Sequence, residues 1–135
     1  MATDFDGPNG LAFSPDERLL YVAESGAPGV AEPRQVIRVF EVAGDGRSLS
    51  GGGDFHRISP GWADGFRVDE LGNLWCGAAD GVHCIAPDGT LLGKVLVPKR
   101  VSNLCFGDRF GSRLFLCAST ALYALFTNTR GATWR

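Results

Sequence analysis

The sequence predicts an all-β protein built from one repeated antiparallel sheet. Nineteen glycines and seven prolines interrupt the chain so often that no window is long enough for a convincing amphipathic helix. The apolar runs between these interruptions have the length of strands. One unit of strand, turn and strand also occurs three times, and internal repetition of this kind is typical of repeat architectures.

Each copy of the unit opens with Asn or Asp, at Asn9, Asp64 and Asn103. A short apolar strand follows, then a turn containing Gly, Pro or Asp, and then a second and more apolar strand. The second strands, such as 19–23 and 114–118, are almost continuously apolar. That pattern indicates burial on both faces. The three copies cover 9–23, 64–78 and 103–118.

Further strands complete each unit. We expect them at 36–42 and about 55–58 in the first, at 82–85 and 90–97 in the second, and at 121–126 in the third. Repeated four-stranded antiparallel sheets are typical of propeller blades. The sequence therefore predicts a partial β-propeller of about three blades in a single domain, 1–135, with units of about 7–60, 61–98 and 99–130. A small antiparallel sandwich is the alternative.

Composition narrows the class of protein. With a formal net charge of −2, 44% hydrophobic and 21% charged residues, the chain resembles a globular protein and not a binder of nucleic acid or of a membrane surface. No apolar run approaches the roughly 20 residues that span a bilayer. No export signal is visible at the N-terminus, and the four cysteines are not paired closely. We therefore expect a cytoplasmic location and reduced cysteines that pack as small hydrophobic residues.

The residues that open the three units are the candidate site. In a propeller the first strand of each blade lines the central channel, so Asn9, Asp64 and Asn103 would converge on one axis. Their amide and carboxylate oxygens are the ligands that a calcium-like cation prefers. The alternative is that Asn9-Gly10 and Asp64-Gly65 are hairpin turns, for which these dipeptides are favoured. Asn103 is followed by Leu104, and a turn would favour glycine there as well.

Three stretches of the sequence resemble the SMP-30/gluconolactonase family, which includes regucalcin-like proteins. Gly7 to Asp16, continued by Leu20 to Ala23, is similar to the family's PNGLAFSPD and LYVA segments. Asp64 to Gly93 resembles its run of PDG, GNLW, GV, PDG and LG motifs, and Ser102 to Gly107 resembles its TNVAFGG stretch. The resemblance covers nearly the whole chain, in order.

The resemblance implies a six-bladed propeller that holds a divalent cation, calcium or zinc, and hydrolyses sugar lactones. It implies that Asn9 and Asp64 bind the metal and that Asp64 also acts as the general acid or base. Asn103 matches a family position in the channel, and Glu24, after a second strand, is a further candidate for lining it. Ala63 stands where the family usually has Pro, which we expect to shift the entry into the strand.

The resemblance is to the family's C-terminal half, so we expect an incomplete site and little activity from the chain alone. The metal-binding Glu and the substrate-contacting residues of the other half have no counterpart here. We also expect apolar sheet faces that lead to self-association, most simply as a dimer of two three-blade arcs. The alternative function is a non-catalytic propeller fragment that serves as a self-association or protein-interaction module.

Overall fold

The computed structural model describes residues 2–132, and within them eleven β-strands and no helix. The strands are β1 (Pro8–Phe13), β2 (Leu19–Glu24), β3 (Val36–Val42), β4 (Leu49–His56), β5 (Phe66–Val68), β6 (Leu74–Ala78), β7 (Gly81–Ile85), β8 (Leu91–Leu96), β9 (Val101–Gly107), β10 (Arg113–Ala118) and β11 (Ala121–Phe126). The all-β prediction is confirmed. None of the described residues forms a helix long and apolar enough to cross a membrane.

The strands form three antiparallel sheets in which sequence neighbours pair. The orders are β1-β2-β3-β4, β5-β6-β7-β8 and β9-β10-β11, which we call the first, second and third sheets. The third has three strands within 2–132, the number that the sequence predicts for that unit. Contacts between β1 and β5, and between β9 and both β5 and β6, place the first strands of the sheets side by side. The three sheets are thus arranged side by side around their first strands, as the blades of a partial propeller are, and we call this arrangement the three-sheet fan.

Two apolar clusters join the sheets. The first lies between the first and second sheets and the second between the second and third, because each contains buried residues of both neighbours. The first cluster includes Tyr21, Ala23 and Ile37 from one sheet and Phe66, Val68, Leu74, Cys76 and Ile85 from the other. The second includes Val82 and the partly buried Trp75 against Leu104, Leu114 and Leu116. The two clusters account for the near-continuous apolar sequence of β6. The prediction that 114–118 is buried on both faces is wrong, because Leu114, Leu116 and Ala118 pack in the second cluster while Cys117 is exposed on the other face of β10.

β4 differs from the prediction, since it begins at Leu49 and not near Phe55. Its first half is a run of glycines, which are depleted in strands and gave no strand signal. Gly51 and Gly52 have φ of 80° and 87°, and the pairing of β4 with β3 is irregular at this point. A Cβ on Gly52 would lie 2.4 Å from Cε1 of Phe40. The glycines therefore form a bulge that leaves room for the side chains of β3.

A buried arginine fastens the N-terminal segment to the first sheet. Arg38 in β3 is 3% exposed and donates to the Gly52 carbonyl oxygen at 2.8 Å and to the Asp4 carboxylate at 2.8 Å. Its guanidinium also lies 4.4 Å from the Phe5 ring centroid. Because an unpaired buried charge is costly, these contacts hold the segment before β1 against the sheet.

Candidate functional site

The head of β1 and the segment before β5 meet through a direct side-chain contact. Nδ2 of Asn9 donates to Oδ1 of Asp64 at 3.0 Å, across 55 residues of sequence. Asn9 lies within β1, and Asp64 lies two residues before β5. The structure therefore brings together the two residues that the repeat and the family resemblance selected.

The glycines after these residues are sites of close approach between sheets. A Cβ on Gly10 would lie 2.5 Å from the carbonyl oxygen of Asp64, and one on Gly65 would lie 2.5 Å from Oδ1 of Asn103. Asn9 and Gly10 both belong to β1, and neither glycine has a positive φ. The hairpin-turn alternative is therefore wrong. Glycine is needed because the next sheet passes directly beside each strand head.

Asn103 is the third strand head, in β9, and it touches the other two only indirectly. Its Oδ1 accepts a hydrogen bond from the backbone N–H of Leu104 at 2.9 Å. The backbone N–H of Gly65 donates to the carbonyl oxygen of Ser102 at 2.9 Å, which fixes β9 against the segment that carries Asp64. A role for Asn103 in lining a channel stays a prediction.

The Asp64 carboxylate is nearly buried and has two N–H partners. Its side chain is 11% exposed. Oδ1 accepts from Asn9, and Oδ2 accepts from the guanidinium of Arg100. That guanidinium lies 4.9 Å from the ring centroid of Trp62. The carboxylate, the amide, the guanidinium and the indole together form one cluster beside the heads of the first strands.

Sequence reasoning missed Arg100. It lies between β8 and β9, in a Pro-Lys-Arg stretch that reads as an ordinary charged loop. Its position three residues before Asn103 corresponds to Gly61 before Asp64 and to Asp6 before Asn9. The repeat therefore offered no signal for this residue.

Glu24 lies at the end of β2 and is fully buried. Its two carboxylate oxygens accept hydrogen bonds from the backbone N–H groups of Asp6, at 3.1 Å, and Gly7, at 2.6 Å. The carboxylate thus holds the chain that enters β1. The hydroxyl of the next residue, Ser25, donates to the carbonyl oxygen of Ala63 at 2.7 Å. The end of β2 therefore also fixes the position of the residue before Asp64. Lining of a channel by Glu24 stays a prediction.

The donors present suit a hard divalent cation in kind. Asp64 offers a carboxylate and Asn9 an amide oxygen, whereas such an ion takes six to eight oxygen ligands. Within residues 2–132 no group of three or more His, Cys, Asp or Glu is arranged to hold a metal. A cation at Asp64 would require the Asn9 amide to present its oxygen and Arg100 to release Oδ2. The two side chains therefore fit as part of a ligand set.

Comparison with known proteins identifies relatives of the chain. Residues 1–120 match the family model described as the SMP-30/gluconolactonase/LRE-like region. A gluconolactonase of Zymomonas mobilis is 33% identical over 92% of this chain and 36% of its own length. The chain spans 30% to 40% of the lengths of the curated relatives it matches.

Solved structures agree with the fold. A gluconolactonase of Xanthomonas campestris superposes with a TM-score of 0.80 and 38% identity, over 92% of this chain and 39% of that one. A calcium-binding protein, regucalcin, of Agrobacterium tumefaciens superposes with a TM-score of 0.63 and 26% identity, over 84% and 38%. The predicted partial propeller is confirmed by these matches together with the three-sheet fan.

Proposed function

The chain belongs to the SMP-30/gluconolactonase/LRE-like family, and from this premise we propose that it forms part of a metal-dependent hydrolase of sugar lactones. The observation that carries the proposal is the contact between Asn9 and Asp64, at 3.0 Å. It joins the two residues whose oxygens would bind the ion. The gluconolactonase relatives support the substrate class, and the calcium-binding neighbour supports a hard cation.

Asn9 and Asp64 would hold the cation, and the bound ion would polarise the lactone carbonyl. Asp64 would accept a proton from the attacking water through a carboxylate oxygen, while the water oxygen forms its bond to the carbonyl carbon. When the ring C–O bond breaks, Asp64 would return this proton to the leaving alkoxide, which regenerates the carboxylate and gives an open hydroxy acid. Because the Asp64 side chain is only 11% exposed, little water competes at the carboxylate.

The test is hydrolysis of an aldonolactone followed by acid release, with calcium or zinc added and corrected for spontaneous opening. Because the site is incomplete, we expect weak metal-dependent turnover above background, and its loss in Asp64→Asn, roughly 100-fold or more on the scale of a general base. Asp88→Asn is the control, since Asp88 lies in a turn and accepts from Thr90. Turnover that is absent, or that Asp64→Asn retains, would refute the proposal.

A second candidate function, self-association, is favoured by two exposed sheet faces. The free face of the third sheet carries exposed side chains from all three of its strands, including Leu122 at 71% and Phe126 at 73%. Its apolar members are Cys105, Phe115, Cys117, Leu122, Ala124 and Phe126. Arg113 lies on the same face, with its guanidinium 5.1 Å from the ring centroid of Phe115 and 5.5 Å from that of Phe126. The free face of the first sheet carries Leu11 at 59% and Phe13 at 46% exposed.

The strand register shows that each of these two faces is equivalent to a face that, elsewhere in the fold, packs against a neighbouring sheet. Tyr21 in the first sheet, Trp75 in the second and Phe115 in the third occupy equivalent positions of the second strand. Tyr21 packs toward the second sheet and Trp75 toward the third. Leu11 occupies the position of Phe66, which packs back onto the preceding sheet. A second copy of this chain would therefore present the kind of face that each free face accepts.

The mass of the particle in solution tests this candidate. We expect light scattering after size-exclusion chromatography to give a dimer at tens of micromolar, with Phe126→Glu and Leu11→Glu each giving monomer. Leu92→Glu is the matched control, because Leu92 is 58% exposed in β8 and lies on neither free face. A monomeric parent chain would refute self-association.

A further inference from the structure

Arg100 is the charged partner of Asp64, and the lactonase mechanism above gives it no role. Its guanidinium donates to Oδ2 of Asp64, and its side chain is 47% exposed. Its carbonyl oxygen accepts from the hydroxyl of Ser119 at 3.4 Å, which ties the segment before β9 to the end of β10. The guanidinium thus occupies the side of the carboxylate that a metal ion would need.

We propose that Arg100 is the resident counter-charge of Asp64 and competes with a divalent cation for that carboxylate. The inference rests on the metal site of the proposed function. It adds a control of metal affinity that is built into this chain, in which the guanidinium leaves Oδ2 when the ion arrives.

Burial of the carboxylate is the first reason. A nearly buried carboxylate is unfavourable unless a charge or several hydrogen bonds compensate it. Asn9 supplies one neutral N–H, and Arg100 supplies the compensating charge. A divalent cation would supply that charge instead and would use the same lone pairs. Arginine and cation are therefore alternatives at Oδ2.

Trp62 is the second reason, because it offers the guanidinium another favourable contact. The guanidinium carbon of Arg100 lies 4.9 Å from the indole centroid, within cation–π range. The indole is itself 37% exposed. On leaving Asp64, the half-exposed guanidinium would keep the aromatic contact and gain water. Release of the guanidinium from Asp64 therefore does not leave an unpaired charge in the protein interior.

Metal titration by calorimetry, without substrate, tests the competition. We expect Arg100→Gln to bind calcium or zinc roughly tenfold more tightly than the parent chain, the scale of one charge-assisted hydrogen bond. Arg100→Lys keeps the charge and should bind more weakly than Arg100→Gln. Arg130→Gln is the control, because Arg130 pairs with Glu70 and belongs to another part of the fold; its affinity should stay within twofold of the parent's.

Two further measurements, of thermal stability and of metal binding by Asp64→Asn, complete the experiment. The metal-free Arg100→Gln variant should melt at a lower temperature than the parent and gain more from added metal, because its Asp64 lacks a counter-charge. Asp64→Asn should bind neither ion. Equal affinity of Arg100→Gln and the parent, equal affinity of the Gln and Lys variants, or no binding by any variant would overturn the competition.

The result is separable from that of the lactonase assay. Tighter binding by Arg100→Gln in a chain without turnover would support the competition and leave hydrolysis refuted. Turnover that depends on Asp64, combined with unchanged affinity in Arg100→Gln, would refute the competition alone.

Discussion

The glycine after a strand head shows how one residue type serves two structural purposes. Asn-Gly and Asp-Gly dipeptides favour turns, yet here Gly10 admits the backbone of the neighbouring sheet. A Cβ at Gly10 would lie 2.5 Å from the carbonyl oxygen of Asp64. Backbone cannot yield as a flexible side chain would, so an added methyl group must displace the segment that carries the candidate site.

We therefore predict that Gly10→Ala lowers the free energy of unfolding by about 2 kcal/mol, within the range for overpacking. Urea denaturation measures it. Gly93→Ala is the control, since nothing lies within 4 Å of its added Cβ. Both substitutions lower the conformational entropy of the unfolded chain by the same amount. The steric account would be wrong if the two variants were equally stable.

A second residue-scale prediction concerns a buried histidine. His83 is 1% exposed, and its Nε2 lies 2.7 Å from Oδ1 of Asp80. Its Nδ1 is buried without a partner. Burial lowers the pKa of His83, against the opposing effect of Asp80. Burial alone would raise the pKa of Asp80, but hydrogen bonds from Lys94 and His83 outweigh it and lower that pKa.

The unfolded chain therefore binds the His83 proton more readily than the folded chain does. Stability from His83 is complete above the ordinary histidine pKa of about 6.5 and is lost as the pH falls through the lower pKa of the folded state. We expect the melting temperature to fall between pH 7.5 and pH 5.5, and His83→Gln to reduce that fall. His56→Gln removes the only other histidine, whose charge has the smallest of the effects that lower the pKa of His83, and should leave most of the fall in melting temperature. The opposite ranking would contradict the assignment.

At the scale of elements, the turn between β5 and β6 is organised by one carboxylate. Asp69 is fully buried and accepts from the backbone N–H of Leu71 and Asn73, from Nδ2 of Asn73 at 3.0 Å, and from Nε1 of Trp75 at 2.9 Å. This explains why the sequence from the turn into β6 is Asp-x-x-Gly-Asn-x-Trp. The turn fixes the indole of Trp75 against Phe106 of β9, with ring centroids 6.2 Å apart.

Removal of this carboxylate should be costly, because several buried donors lose their acceptor. We predict that Asp69→Ala lowers the free energy of unfolding by roughly 3 kcal/mol or more, measured by urea denaturation. Asp88→Ala is the control, since the Asp88 carboxylate serves an exposed turn, and we expect little change from it. Near-equal midpoints for the two variants would exclude the organising role of Asp69.

The sequence predicted the elements with strong apolar character and missed those without it. β2, β6 and β10 were evident from their nearly continuous apolar sequence, although β10 is buried on one face only, whereas the start of β4 was hidden by Gly51 and Gly52. The pairing of Asn9 with Asp64 followed from the repeat, which places equivalent residues at equivalent strand heads. Arg100 could not be found in that way, because its contact with Asp64 depends on how the third sheet packs against the second.

At the scale of the whole molecule, the free face of the third sheet contains two thiols that report its exposure. Cys105 and Cys117 are exposed, whereas Cys76 is buried. The expectation that cysteines pack as small hydrophobic residues therefore fails for two of the four. Burial raises the pKa of the Cys76 thiol to about 12 and that of Cys84 to about 11. Both stay almost wholly protonated near pH 8 and react slowly with disulfide reagents.

We predict that, at low protein concentration, Ellman's reagent titrates two thiols quickly, and the other two only slowly or after unfolding. At tens of micromolar we expect a second copy to cover the free face of the third sheet, so that the fast phase slows in proportion to the dimer fraction. Phe126→Glu should keep the fast phase at every concentration, while Leu92→Glu should behave as the parent does. Four fast thiols would refute the burial of Cys76 and Cys84, and a fast phase independent of concentration would refute the association of the two faces.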